Sequence, residues 1–409
     1  MSLYSLVDLS GKNNKFKILL CILIFSILAY FTWHRAIGSS RMKTNIITYR
    51  LAAKRVLTGT NIYSYKEGDP EMGMYSMYVY PPLFAILFVP FALMPFVVSV
   101  FSWFFLNFCF FFLSLYLVLK KLKLLDHTLP SFFILAFLSN VGAYSSSLSN
   151  AQVNVVILFC LSLVYYFYLD NKKFLSGLLL ALGVAIKLTP LLFVVYFLIK
   201  REFKILIYFS IGIFLFFFVI PSAVFGWENN TNLLSQWFHG VPLTMGLTAF
   251  HEIHSSDQSL YVYLRRLARV FPALPVNIAW QVISSLVLAI ISFFVFKSSK
   301  NNSPLVILKH FSLFACLMLF ISKASNHGHF CVWLFPQLFL LILLFSRYYN
   351  KKLLVFYASH IILALMYYTI HSWRIYGFLF MANVVLIIGL LLTPTSFEMK
   401  KIENNSRAF

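Results

Sequence analysis

Apolar runs recur along the chain and alternate with short polar loops. Many runs have about the length that an α-helix needs to cross the hydrocarbon core of a bilayer. They cover residues 17–36, 97–119, 131–148, 151–169, 203–222, 276–296, 304–322, 330–346, 353–370 and 374–393. The pattern predicts an all-α polytopic membrane protein.

Two further runs leave alternatives open. Residues 81–95 form a short apolar run that contains four prolines, Pro81, Pro82, Pro90 and Pro95. Residues 174–199 form a long run interrupted by "IKLTP", from Ile186 to Pro190. A proline removes a helix hydrogen bond, and a charge at membrane depth is costly. Each run therefore either crosses the membrane once or breaks and turns back.

The positive-inside rule favours one arrangement. If 81–95 is re-entrant and 174–199 forms two short helices, about twelve transmembrane helices result, with both tails, 1–16 and 394–409, cytoplasmic. The basic clusters then all lie inside, at 120–123, 171–173, 200–204, 297–300, 347–352 and 400–401. The less favoured alternative makes 81–95 a span and 174–199 one helix, and puts two clusters outside. We predict one integral-membrane domain, 1–409, with outer-face loops 37–96 and 223–275 that carry amphipathic helices.

Composition agrees with this class of protein. The chain of 409 residues is 61% hydrophobic and 11% charged, with a mean hydropathy of +0.83. A soluble domain would carry about 25% charged residues. The net charge of +21 could suggest nucleic acid. Because Lys and Arg cluster in short loops between apolar runs, we expect membrane lipids as the partner and no nucleic acid.

Polar and aromatic residues that are not topology signals collect on the predicted outer face. Tyr80 precedes the double proline of "YVYPP" and belongs either to an interfacial aromatic belt or to the wall of a groove. In "LSNAQVN", Asn150, Gln152 and Asn154 begin a span. Three amides exceed what a helix cap needs, and they suit hydrogen bonding to a hydroxyl-rich ligand.

Basic residues at the same face suit an anion. Lys187 in "AIKLTP" has no acidic residue nearby in sequence, and the break after it offers a helix N-terminus for a phosphate. Alternatively, Lys187 extends to the lipid headgroups. A capping sequence that includes Asp257 precedes an amphipathic helix with Arg265 and Arg266, which either binds the ligand or lies on anionic lipid.

Two histidines, His327 and His329, begin a later span in "SNHGHFCVW". Paired histidines could bind a metal, but the chain has only twelve Asp and Glu residues and no HExxH motif. A role as proton acceptor or sugar ligand is favoured. We expect no metal and no cofactor.

Six segments in this order resemble glycosyltransferase family 87, integral-membrane enzymes of the GT-C superfamily that include phosphatidylinositol-mannoside mannosyltransferases. The segments are "AAKRVLTGTNIY", "YVYPPLFAILFVPFALMP", "SNAQVN", "AIKLTPLLFVVYFL", "DQSLYVYLRRL" and "HGHFCVWLFP". Each is loose alone, but their shared order is fairly specific. The resemblance covers roughly residues 40–340.

The resemblance implies a GT-C-like fold and an inverting hexosyltransferase on the outer face of a bacterial cytoplasmic membrane. Its donor would be a polyprenyl-phosphate sugar, often mannose, and its acceptor a lipid or glycan. Lys187 and the arginines would hold the phosphate, and Asn150 and Gln152 would bind hydroxyls. The implied substrate-binding residues are Tyr49, Tyr80, Asn150, Gln152, Lys187, Asp257, Ser259, Arg265 and Arg266.

The sequence departs from the family at the expected catalytic base. The family has an Asp four residues before a Tyr; counting back from Tyr49, that position holds Asn45. An amide does not accept a proton at neutral pH. Either the chain is a catalytically impaired copy, another group serves as base (His327, His329, Asp69 or Glu71), or the loose motif aligns differently. A transporter or flippase of lipid-linked sugars, and a non-catalytic scaffold, remain alternatives; the sequence has no visible inverted repeat to support transport.

Overall fold

The computed structural model describes residues 45–64, 78–122, 129–247, 256–345 and 351–393, together with Ser26, Tyr30, Trp33 and His34. The predicted tails, most of the first span and the candidate bases Asp69 and Glu71 lie outside the described residues. Within these residues every regular element is a helix, and the single β-bridge is isolated. The predicted all-α class is confirmed.

Seventeen α-helices are described, numbered here in chain order. The first half of the chain forms α1 (Asn45–Thr58), α2 (Pro82–Leu87), α3 (Val89–Leu93), α4 (Phe96–Lys121), α5 (Leu129–Ser149), α6 (Asn154–Leu169), α7 (Lys173–Ile186), α8 (Leu192–Ile199), α9 (Phe203–Phe214) and α10 (Ile220–Phe225). The second half forms α11 (Trp227–Leu247), α12 (Leu260–Ala268), α13 (Val276–Lys297), α14 (Pro304–Ile321), α15 (Leu334–Leu344), α16 (Lys351–Thr369) and α17 (Phe378–Leu391). Short 3₁₀ turns cover Thr189–Leu191, His327–Trp333 and His371–Tyr376, and a π-helical turn joins α9 to α10.

Loops with basic residues meet at one end of the helix bundle, here called the basic end. Lys121 at the end of α4 pairs with Asp170 after α6, and Lys173 pairs with Glu202 at 2.8 Å. Lys200 donates to Asn302 Oδ1 at 2.7 Å. Described residues of four clusters that the positive-inside rule groups together therefore share one end: 120–122, 171–173, 200–204 and 297–300.

The predicted break in residues 174–199 is confirmed. Helix α7 leaves the basic end at Lys173, and the chain is back at that end by Glu202, which pairs with Lys173. Between them Lys187 has an extended backbone, and a 3₁₀ turn containing Pro190 follows. The single-helix alternative is wrong. The 14 residues of α7 rise about 21 Å, so Lys187 lies far from the basic end.

Residues 81–95 form two very short helices. Helix α2 has six residues and α3 has five, and Phe88 separates them. Pro82 occupies the first position of α2, where a missing N–H costs nothing. Helix α1 packs on both short helices. Neither short helix alone reaches bilayer thickness, and the re-entrant path of the segment stays a prediction.

The length of the helices supports a membrane protein. By length and composition, six helices of the described residues can cross a membrane, and four apolar helical segments are shorter. The count of twelve stays a prediction. Helix α13 exposes an apolar stripe of Ile278, Val282, Leu286, Ile290 and Phe293, as expected where lipid covers the surface.

Some predicted boundaries differ from the structure. The span predicted at 151–169 begins at Asn154, because residues before it form a turn in which Ala151 has φ +51°. The span predicted at 374–393 begins at Phe378, because His371–Tyr376 is a 3₁₀ turn that ends at Gly377 with φ +80°. The outer loop 223–275 also contains α11, a helix of 21 residues.

Candidate functional site

The Lys187 side chain is the centre of the candidate site. Its Nζ lies 2.8 Å from Asn154 Oδ1 and 2.8 Å from His329 Nε2. An ammonium group has no lone pair, so it donates both bonds and His329 accepts through Nε2 in its neutral form. These three residues line a cavity of about 10 Å³, room for roughly one water molecule, together with Thr189 and Ser325.

Three irregular backbone segments meet at this centre. Lys187 lies in the break after α7, Asn154 follows the turn before α6, and His329 lies in the 3₁₀ turn His327–Trp333. Irregular backbone at membrane depth is tolerated where it is buried in protein or lines a cavity. The sequence motifs "SNAQVN", "AIKLTP" and "HGHFCVW" are therefore brought together in space.

The three amides of "LSNAQVN" have different contacts. Asn154 Nδ2 donates to Gln152 Oε1 at 2.7 Å, and both side chains are buried. Asn150 Nδ2 donates back to Ser146 O at 3.0 Å, which caps the end of α5. Asn154, rather than Asn150, is the amide that contacts Lys187. Sugar binding by Asn150 and Gln152 stays a prediction.

A second group of charged and aromatic side chains begins at His327, two residues before His329. His327 Nδ1 lies 3.2 Å from the Tyr367 hydroxyl, and the Arg374 guanidinium lies over the Tyr367 ring at 5.3 Å. Arg266 Nη2 donates to the Asp257 backbone oxygen at 2.8 Å. Burial lowers the pKa of Arg266, and the Asp257 carboxylate opposes this shift. Sequence reasoning missed Arg374; its only signal was a polar turn, "HSWR", between two apolar runs.

The residues just before α12 contact the residues just before the 3₁₀ turn His327–Trp333. Asp257 forms an antiparallel bridge with Asn326. Ser259 caps α12 by accepting from the Val262 N–H at 3.3 Å, and its hydroxyl donates to the Lys323 backbone oxygen at 2.8 Å. Ser259 therefore has a structural role in this structure. Arg265 lies on α12 beside Arg266 and is half-buried.

The tyrosines predicted as substrate ligands form a pair. The hydroxyls of Tyr49 and Tyr80 are 3.1 Å apart, and their rings are nearly perpendicular. Burial raises the pKa of both phenols, so both are neutral and neither is a base. Trp103 packs on Tyr49 and donates to the Ala151 backbone oxygen at 3.2 Å, which joins this pair to the turn before Asn154. Asn45 is the first residue of α1, one helical turn before Tyr49.

Metal binding finds little support in these residues. Among the described residues, no group of three His, Cys, Asp or Glu side chains is placed to hold a metal ion. In addition, the Nε2 atom of His329 already accepts from Lys187. The residues around Lys187 present a cation and neutral hydrogen-bonding groups, which are suited to an anionic ligand.

Comparison with known proteins agrees with these motifs. An alignment 201 positions long is 28% identical to the polyprenol-phosphate-mannose-dependent alpha-(1-2)-phosphatidylinositol mannoside mannosyltransferase of Mycobacterium tuberculosis (strain ATCC 25618 / H37Rv), over 45% of this chain and 46% of that relative. The aligned stretch spans about half the length of that relative. No solved structure matches the chain.

The profile of glycosyltransferase family 87 matches residues 78–322, more than half of the chain. The matched region contains Gln152, Asn154 and Lys187, whereas Asn45 and His329 lie outside it. The chain therefore belongs to glycosyltransferase family 87.

Proposed function

We propose that the chain transfers a hexose, mannose, from a polyprenyl-phosphate donor to a lipid or glycan acceptor on the outer face of a bacterial cytoplasmic membrane. One observation carries the proposal. Lys187 holds an ammonium group at membrane depth, and its hydrogen-bond acceptors in the described structure are both neutral. A buried cation needs a counter-charge, and a lipid-linked phosphate supplies one at that depth.

The reaction follows from binding of the donor phosphate by Lys187. The bond between the sugar C1 and the donor phosphate oxygen breaks, and the acceptor hydroxyl oxygen forms a bond to C1 from the opposite face, with inversion. The polyprenyl phosphate leaves with the electron pair and gains negative charge. Lys187, with Arg265 and Arg266, stabilises this charge, which lowers the barrier without a metal ion.

The acceptor proton needs a base, and Asn45 is unsuited to that role. His329 accepts from Lys187 through Nε2, so it must release that bond before it takes a proton there, whereas His327 contacts Tyr367 through Nδ1. Asp69 and Glu71 are further candidates by residue type. The substitution at Asn45 supports a second candidate function, a family member that binds the donor and is catalytically impaired.

Reconstitution tests the proposal. The purified full-length protein in lipid vesicles receives radiolabelled polyprenyl-phosphomannose and a total-lipid acceptor extract. Transfer of label to a new glycolipid is the expected result, and an Asn45→Asp variant is measured beside it. An inert wild type with an active Asn45→Asp variant identifies an impaired copy. If both are inert and neither binds polyprenyl phosphate, the glycosyltransferase proposal is wrong.

A further inference from the structure

The Asn154 amide lies between two partners of opposite polarity. Its oxygen accepts from Lys187 at 2.8 Å, and its nitrogen donates to Gln152 Oε1 at 2.7 Å. A half-turn of the amide would point N–H donors at the Lys187 ammonium and an oxygen at the Gln152 oxygen. Both contacts would then be repulsive. Gln152 therefore selects the orientation in which Asn154 can hold Lys187.

Gly328 keeps Gln152 in this position. A Cβ atom at residue 328 would lie 2.2 Å from Gln152 Oε1, 3.1 Å from the Ser147 Cα and 3.2 Å from Asn154 Nδ2. The Gly328 N–H donates to Asn326 Oδ1 at 2.9 Å. This bond holds the turn so that Gly328, which has no side chain, faces Gln152 and Asn154. A side chain at position 328 would push the Gln152 oxygen away from Asn154.

The donors of Lys187 can be counted. An ammonium group has three N–H bonds, and Asn154 and His329 accept two of them. In the described part of the chain the third has no protein acceptor. Because both acceptors are neutral, neither of them cancels the charge of a protonated Lys187.

We propose that Gln152 is a positioning residue that acts through Asn154 to aim the remaining N–H of Lys187 at one phosphate oxygen of the donor. This inference rests on the proposed function. It gives Gln152 a role different from contact with sugar hydroxyls, and the two roles have different consequences for paired variants.

A double-mutant cycle tests the proposal. Gln152→Met removes the acceptor at similar size, and Asn154→Leu keeps the shape of Asn154 without its polar atoms. Affinity for farnesyl phosphate is measured on the full-length protein in nanodiscs, together with KM for polyprenyl-phosphomannose. We expect Gln152→Met to weaken binding about 3- to 10-fold, and Asn154→Leu about 10-fold. The double variant should match Asn154→Leu alone, because Gln152 acts only through Asn154.

Two glycine variants provide a matched pair. Gly328→Ala should weaken binding at least as much as Gln152→Met, because its Cβ displaces the Gln152 oxygen, the end of a flexible side chain, and also meets the Ser147 Cα at 3.1 Å. Gly183→Ala, one turn before Lys187, should bind like wild type, because its Cβ would meet Cys160 and Pro190 at ordinary distances of 3.5 and 3.6 Å. If Gln152→Met does not fold, Gln152→Asn withdraws the same oxygen by one methylene group.

The outcomes separate this inference from the proposed function. If the effects of Gln152→Met and Asn154→Leu add in the double variant, Gln152 contacts the ligand itself and the positioning role is overturned, while binding and transfer by wild type stand. If wild type neither binds farnesyl phosphate nor transfers mannose, the proposed function fails and the positioning role fails with it.

Discussion

The Lys187 ammonium donates a hydrogen bond to His329 Nε2 across 2.8 Å. A histidine that sequence reasoning offers as a proton acceptor is therefore already the acceptor of a cation. To take a proton at Nε2 it would have to release Lys187 and then carry a second positive charge beside it. The geometry favours a role in which His329 orients Lys187.

Substitution of His329 separates the two roles. His329→Gln keeps an oxygen acceptor near Nε2, so donor affinity should stay within about twofold of wild type. His329→Leu removes the acceptor, and affinity should fall about 3- to 10-fold. Binding of farnesyl phosphate and kcat are both measured. A large loss of kcat in both variants at unchanged affinity would instead identify the imidazole as a base.

Removal of the Lys187 charge should abolish tight donor binding. Lys187→Met keeps the length of the side chain and loses charge-assisted hydrogen bonding to phosphate, about 1.5–3 kcal/mol or roughly 10- to 100-fold in affinity. Because burial of a cation is costly, the unfolding temperature should not fall. Calorimetry and titration with farnesyl phosphate check both expectations.

Lys200→Met is the matched control for Lys187→Met. Lys200 donates to Asn302 Oδ1 at 2.7 Å and to the Asn301 backbone oxygen at 3.3 Å, at the basic end. Its loss should lower the unfolding temperature and leave donor affinity unchanged. If Lys200→Met weakens donor binding as much as Lys187→Met does, then the effect of Lys187 is one of general charge or folding.

Some features of this site can be predicted from the sequence, because single residues determine them. Lys187 and Pro190 together predict a break, since a charge and a missing N–H both disfavour a continuous span. The basic loops are predicted to lie at one end of the helix bundle, because loops rich in Lys and Arg remain on the cytoplasmic side of the membrane. These expectations need no tertiary contacts.

Other parts of the site depend on contacts between distant segments. Ala151 has a positive φ, unusual for a residue with a side chain, and the resulting turn brings Asn154 rather than Asn150 to Lys187. No propensity rule predicts that choice. Arg374 lies over the ring of Tyr367, whose hydroxyl contacts His327, and both residues come about 40 positions or more after His327 in the chain.

Because Tyr49 is buried against Tyr80, we expect the protein to lose stability at high pH. Burial raises the pKa of Tyr49 well above its usual value of about 10. The stabilisation that Tyr49 gives the folded protein is therefore fully present below about pH 10, the pKa in the unfolded chain, and is lost as the pH rises above it. Each pH unit costs at most about 1.4 kcal/mol per tyrosine. Tyr49→Phe should be about 1 kcal/mol less stable at pH 8, and this gap should shrink by pH 11.

Thermal unfolding in detergent from pH 8 to 11 measures the gap. Tyr376→Phe is the control, because Tyr376 is 56% exposed and its removal should change neither stability nor its pH dependence. A gap between wild type and Tyr49→Phe that stays constant up to pH 11 would contradict burial of a neutral phenol at position 49.

The two ends of the bundle should face opposite sides of the membrane. Lys172 and Lys300 are exposed at the basic end, and Thr60 and Glu228 are exposed as well. The helical segment Phe203–Phe225 leads away from the basic end to Glu228, and Asn61, next to Thr60, donates to Gln236 of α11 at 2.8 Å, which places both at the other end. In a background without the five native cysteines, one cysteine is placed at each position in turn. An impermeant maleimide should label positions 60 and 228 in intact cells, and positions 172 and 300 only after permeabilisation, because basic loops stay cytoplasmic. Labelling of 172 and 228 from the same side would contradict the hairpin of α7 and α8, since that hairpin sets the direction of every later helix.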